Sequence, residues 1–225
     1  MYSEQLSEGT RLTGAPANDD YVLNPSSWYN IKILVAISSI IGLTLGLTLG
    51  VVKLEGPPSS LHATALINNG TIKGTASFSQ TVGTNVVSVS LSLVGIPAST
   101  GWKSATAPLE HGFHVHVNAD LGNYCANAGA HLNVLSTVHG APTNYTYRHT
   151  GDLGNHVTAA DGSINAVFTD SVISLVSTSP AYIVGRSFVI HADADDYGLM
   201  PDEHADSKTS GHAGARLACG VIVSA

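Results

Sequence analysis

Glu110-His111-Gly112-Phe113-His114-Val115-His116-Val117 is a run in which apolar and imidazole side chains take turns. Strand side chains alternate between faces, so residues two apart stand together, about 6.5–7 Å along the chain. Phe113, Val115 and Val117 then pack on one face, and His114 and His116 share the other. Two neutral imidazoles held side by side form half of a transition-metal site. An isolated H-x-H pair is a weak signal, and its neighbours decide the reading.

Those neighbours supply more imidazoles: His131, His139, His149 and His191, with Asp152 among them. Of the chain's 11 histidines, only His62 falls outside residues 111–212. Solvated surface histidines would scatter. Imidazoles with one carboxylate suit zinc, copper, iron or nickel, whereas calcium and magnesium demand more oxygen ligands.

Working outward, Val87, Val89, Leu91 and Leu93 alternate with Ser88, Ser90 and Ser92, the pattern of a half-buried strand with one wet face. Strand-like runs recur near 62–68, 71–79, 86–94, 111–117, 164–168 and 186–191, separated by Gly, Asn, Asp and Pro. That spacing predicts an all-β sandwich or barrel. The stretch 118–160 has little periodicity and reads as a long functional loop ordered by metal rather than by a core. With 225 residues, 23 of them Gly, and only 11% charged, the composition suits short strands joined by many turns. A net charge of −7 and no basic stripe exclude a nucleic-acid role.

The chain divides into a polar tail over 1–31, a membrane anchor over 32–53, a linker over 54–60 and a folded domain over 61–225. Ile33 to Val52 carries no charge, and 20 helical residues span about 30 Å, the thickness of a bilayer core. Lys32 and Lys53 bracket the run and Trp28-Tyr29 stands at its interface. A cleaved signal peptide is the rival reading; the late start and the lack of an A-x-A exit favour a signal anchor. Gly42, Gly46 and Gly50 line one helix face, equally readable as helix pairing or as simple tolerance of Gly. The lysines are balanced across the span, so they do not orient it. The sequons Asn69-Gly70-Thr71 and Asn144-Tyr145-Thr146 would be usable only on a lumenal side. The two cysteines, Cys125 and Cys219, read either as buried thiols or as a disulfide.

His111-Gly-Phe-His-Val-His116, Ala130-His-Leu-Asn133, Arg148-His-Thr-Gly-Asp-Leu-Gly-Asn155 and Gly214-Ala-Arg-Leu-Ala-Cys-Gly220 together resemble the copper/zinc superoxide dismutases. Asp170-Ser-Val-Ile-Ser-Leu175, Ile183-Val-Gly-Arg186 and His191-Ala-Asp-Ala-Asp-Asp196 add to the likeness, which covers about residues 61–225. The resemblance implies a Greek-key sandwich or barrel of immunoglobulin-like architecture with long metal-site loops. It implies that His114, His116, His131 and His191 hold copper and that His131, His139, His149 and Asp152 hold zinc, His131 bridging the two. It implies that Asp195 links a copper ligand to a zinc ligand and that Cys125 and Cys219 form a disulfide. Arg216 would attract the superoxide anion, with Lys208 and Thr209 as further channel residues, and His131 would deliver a proton to the nascent peroxide.

For the other histidines the expectations are plainer. His111 hydrogen-bonds backbone near the copper strand, and His62 and His156 are solvated. His204 and His212 lie in a charged loop, where protonation would add positive charge. Pro97 to Glu110 is longer than the family's usual connection and could reshape dimer contacts, so a homodimer stays open. The sequence therefore points to a membrane-anchored enzyme, copper and zinc its cofactors and superoxide its substrate, with its domain outside the cytosol. A copper-buffering or copper-delivery module on the same fold is the alternative, and a structural sandwich keeping a relic site is another. Arg216 argues against the first, and the full ligand set against the second.

Overall fold

A computed structural model describes residues 60–103, 105–106 and 109–225, all within one of the two units into which the chain divides. Among them no helix is long and apolar enough to cross a membrane. The expected anchor over 32–53, the tail and the linker before residue 60 lie outside the described residues.

Eight strands form one antiparallel sheet: β1 Ser60–Asn69, β2 Ile72–Thr81, β3 Val87–Val94, β4 Glu110–His116, β5 Asp152–Val157, β6 Ile164–Asp170, β7 Ser187–His191 and β8 Arg216–Ser224. Their order is β5-β4-β7-β8-β1-β2-β3-β6, and the two end strands touch, so the sheet nearly closes into a barrel. The β4–β5 pair is inserted between β3 and its spatial neighbour β6, the non-sequential order of a Greek key. β1 and β2 meet in a two-residue turn, Asn69 facing Ile72, where Gly70 takes the left-handed φ of 59° that such turns favour.

β3 follows the expected alternation: Val87, Val89, Leu91 and Leu93 point inward and the even-numbered residues face outward. They pack with Phe78, Phe113 and Phe188, whose rings approach to 6.0 Å for the 78–188 pair and 5.7 Å for the 113–188 pair. Fully burying an aromatic or aliphatic side chain contributes about 1.5–3 kcal/mol, so this cluster is the main source of rigidity behind the site.

Two strands depart from the sequence expectation. β5 lies inside the stretch expected to be loop. Asp152, Leu153 and Gly154 are buried in succession, and Gly154 has φ 83°, so no period of two survives in the sequence. β8 was legible only as a motif around Cys219. Central between β7 and β1, it buries Ala218, Cys219 and Gly220 in a row, which again erases alternation.

Candidate metal centre

β4 carries His114 and His116, and it is buried from His111 through His116 because β5 and β7 flank it. Phe113 and Val115 enter the core, which turns the two imidazoles to the opposite face, as the alternation requires. β7 brings His191 beside them at its last residue, where the ladder to β8 shifts register and pairs His191 with Arg216. His131 arrives from the β4–β5 connection through an isolated bridge to His116. One ligand atom from each of His114, His116, His131 and His191 lies within 4.8 Å of all the others.

Hydrogen bonds fix which ring nitrogen of each imidazole is free. His116 Nδ1 donates to the Gly129 carbonyl at 2.9 Å and His191 Nδ1 to the Gly214 carbonyl at 3.3 Å. Their Nε2 atoms, left with lone pairs, face each other at 3.3 Å. His114 Nε2 donates to Asp195 Oδ2 at 2.9 Å, leaving its Nδ1 buried without a partner among the described residues. Converging lone pairs repel unless a cation sits among them, so this donor set fits a nitrogen-preferring metal ion. Burial pushes the His116 imidazole down to about 2 and His191 to about 3, with the charge of Arg216 adding to both; His114 is also lowered well below its usual value by burial. All three are neutral and ready to coordinate.

A second group adjoins the first. His131, His139 and Asp152 close with His114 to within 4.8 Å. His149 stands at its rim, with Nδ1 3.3 Å from Asp152 Oδ1 and 3.4 Å from His131 Nδ1. Asp152 is the hub: its Oδ1 lies 2.9 Å from His131 Nδ1 and its Oδ2 3.0 Å from His139 Nδ1. His139 Nε2 donates to Asp195 Oδ1 at 2.7 Å, so its Nδ1 lone pair would meet a carboxylate oxygen head-on. In the metal-free chain a proton relieves that clash. Burial alone lowers the His139 imidazole, but Asp152 and Asp195 outweigh it and raise it to about 9. Burial opposes ionisation of Asp152 too, yet the three imidazoles hold its carboxyl far below the carboxylate range. Three nitrogens and one carboxylate oxygen are a ligand set that zinc accepts. Asp195 thus joins the two groups, one oxygen on His114 and the other on His139. Burial raises its own carboxyl above the usual range, with His139 opposing.

Cys125 and Cys219 form a disulfide with Cα atoms 6.1 Å apart, tying the β4–β5 connection to β8. Arg216 hangs from that connection: its guanidinium donates to the carbonyls of Cys125, Ala126 and Gly129. Lys208 and Thr209 lie on a single helical turn, Ser207–Ser210, and line a cavity of about 330 Å³ with His131 and His149. Arg216 is not part of that cavity's wall.

His111 donates from Nδ1 to the His191 carbonyl at 2.9 Å, as expected. His62 is exposed and meets Ser60 Oγ at 2.7 Å. The expectation of a solvated His156 is overturned. Its ring packs on Phe113 at 5.1 Å and Phe168 at 4.3 Å, and burial lowers its imidazole to about 4. The pair His204 and His212 stacks at 3.7 Å with 6° between planes, and His212 Nδ1 lies 2.7 Å from Asp206 Oδ1.

Arg148 was not singled out by the sequence reading. Only 2% exposed, it donates to the carbonyls of Pro142, His149 and Asp152 and pairs with Asp170 Oδ2 at 2.8 Å, stapling the loop-borne group to β6. A lone arginine next to a ligand histidine, in a chain with few charges, was the available signal.

A family model described as Copper/zinc superoxide dismutase (SODC) matches residues 72–222. A protein of Haemonchus contortus named an extracellular Cu-Zn superoxide dismutase is 51% identical over 122 residues, which cover 54% of this chain and 64% of that relative. The match therefore spans a little under two thirds of that relative's length. One of Brugia pahangi with the same name is 39% identical over 156 residues, 69% of this chain and 71% of the relative. A crystal structure titled as that of the clock protein EA4 superposes with a TM-score of 0.63 at 38% identity, covering 75% of this chain and 98% of that one.

Proposed function

Because the chain belongs to the copper/zinc superoxide dismutase family, we propose that its domain converts superoxide and protons to oxygen and hydrogen peroxide. His114, His116, His131 and His191 would hold copper; His131, His139, His149 and Asp152 would hold zinc. Copper, when bound, supplies a one-electron couple that accepts an electron from one superoxide and returns it to a second. The observation that carries this reading is the convergence of imidazole lone pairs from His114, His116 and His191 on one side of His131, with the imidazoles of His139 and His149 gathered around Asp152 on the other.

The chain's own residues would do the rest. Arg216 draws the anion in and orients it, since its guanidinium is fixed by three carbonyls. His131 keeps Nδ1 against Asp152, so its Nε2 is the atom suited to hold a proton and hand it to the departing peroxide. Asp195 keeps the rings of His114 and His139 in orientation.

The test is superoxide dismutation by the purified, disulfide-bonded chain, with metal content measured on the same sample. Fast turnover with near one copper and one zinc per chain supports the enzyme. Both metals bound, but no turnover in wild type or in Arg216→Ala, overturns it in favour of copper handling.

Location is a separate proposal. The disulfide, the extracellular names of the relatives and the charge-free run Ile33 to Val52 support a domain outside the cytosol, held by residues 32–53. Release of the intact chain from membranes by alkaline carbonate would overturn the anchor. A homodimer would register as twice the chain mass in sedimentation.

A further inference from the structure

The long β3–β4 connection closes on the segment that carries Asp195. Ser99, 5% exposed, donates from Oγ to Asp193 Oδ1 at 2.7 Å and accepts from the Gly101 N–H at 3.3 Å. The Trp102 indole N–H donates to the Ala194 carbonyl at 2.8 Å. Gly101 packs so closely that a Cβ there would come within 2.0 Å of the Asp193 carboxyl carbon. On its far side, residue 193 is held by backbone bonds from Gly112 and to Ala213, at 2.9 Å each. The two residues gripped, Asp193 and Ala194, stand between His191 and Asp195, and Asp195 holds His114 and His139 together. Trp102 also leans on His204 at 6.3 Å, and so touches the loop that bears Lys208.

We propose that Ser99, Gly101 and Trp102 form a clamp, with Ser99 and Trp102 as positioning residues that set Asp195 and, through it, both halves of the metal centre. The proposal rests on the metal assignment made above for His114 and His139. A buried carboxylate with a ring nitrogen on each oxygen works only if its backbone is fixed to a few tenths of an ångström. Asp195 is fixed beyond the side-chain level by the Asn155 amide, which accepts its N–H at 2.7 Å and donates to its carbonyl at 2.8 Å. The clamp completes that frame from the other direction. Losing a ligand's hydrogen-bond partner typically costs about 10–100-fold in metal affinity, and a group acting one bond farther out belongs at the low end.

The experiment uses the full chain, loaded with copper and with cobalt(II) in place of zinc, and follows metal loss to a chelator. Trp102→Phe keeps an aromatic ring but removes the N–H together with part of the indole bulk; Ser99→Ala removes only the hydroxyl. Each is expected to speed loss of both metals by about tenfold and to alter the visible cobalt spectrum, which reports ligand geometry. Ile222→Val, a core change on β8 that bonds to Gly185 and Arg186 rather than to the clamp, is expected to lower thermal stability without changing either signal. In an Asp195→Asn background, Trp102→Phe should add nothing, because the residue acts through Asp195. Acceleration of equal size in that background, or none in either single variant, overturns the clamp. Dismutation measured on the same wild-type sample keeps the two proposals apart: stoichiometric metal without turnover sinks the enzyme reading and leaves the clamp to be judged on release rates.

Discussion

His114, His116 and His191 stand on adjacent strands, whereas His139 and His149 hang from the long β4–β5 connection, with Asp152 where that connection enters β5. The sheet-borne imidazoles are neutral because burial lowers them, with the neighbouring His131 and the cation Arg216 pushing His116 and His191 the same way. The loop-borne group is the opposite case: two carboxylates surround His139 and raise it to about 9. One side chain, imidazole, is thus prepared in two ways. A strand pair displays lone pairs by geometry alone, while a loop needs charge to hold its ligands together until a metal replaces the proton.

The change expected to split the halves most sharply is Asp152→Ala, which removes the hub of the loop-borne group. Zinc affinity should fall by more than about 100-fold, beyond the cost of losing a ligand's hydrogen-bond partner. Copper uptake should persist, and metal content after dialysis checks both. Equal loss of copper would mean that the halves do not assemble separately. Next in size, Cys219→Ser should cost about 2–4 kcal/mol in denaturant unfolding, because the bond closes a sequence separation of 94 residues. It should also free the carbonyls that hold Arg216, and so weaken the sheet-borne side first. Arg216→Ala itself should lower kcat/KM by about tenfold and flatten its dependence on ionic strength, while both metals stay bound.

The smallest effects are protonic. At neutral pH, zinc uptake by the metal-free chain should release about one proton, from His139, and copper uptake by the metal-free chain almost none. Whichever metal binds second should release about one more as His131 gives up its remaining N–H; calorimetry in buffers of different ionisation heat reads this. Stability of the metal-free chain follows from the same values. His116 and His191, folded at about 2 and about 3 against an ordinary 6.5, contribute fully above pH 6.5 and lose that contribution as pH falls toward 3. His139, raised to about 9, contributes fully below pH 6.5 and loses its contribution as pH rises through 9. The melting temperature should therefore be highest near pH 6.5 and decline on both sides, and His139→Gln should remove only the alkaline decline.

The sheet-borne half was legible because β4 obeys a period of two, so a reader can place His114 and His116 on one face from the sequence alone. Only the density of imidazoles along residues 111–212 marks His139 and His149; their assignment to one metal came from the resemblance, since loop ligands meet through tertiary contacts. β5 and β8 were lost for a shared physical reason. Both are covered on two faces, and consecutive buried residues such as Ala218, Cys219 and Gly220 carry no alternation. His156 was misread because its burial depends on Phe168 of β6, a contact between the sheet's two ends that no window of sequence contains. The clamp was visible only as extra length between Pro97 and Glu110; that Trp102 finds the Ala194 carbonyl is a fact of packing.

The way Arg216 is held has an electrical consequence. A guanidinium pinned by a carboxylate is a dipole, and its potential fades within a few ångströms. Arg216 is pinned by the carbonyls of Cys125, Ala126 and Gly129, all uncharged, so its position is fixed and its charge is not cancelled. On a chain whose formal charge is −7, it is a stationary positive pole in a negative surround, and the field it leaves is one an approaching anion can follow.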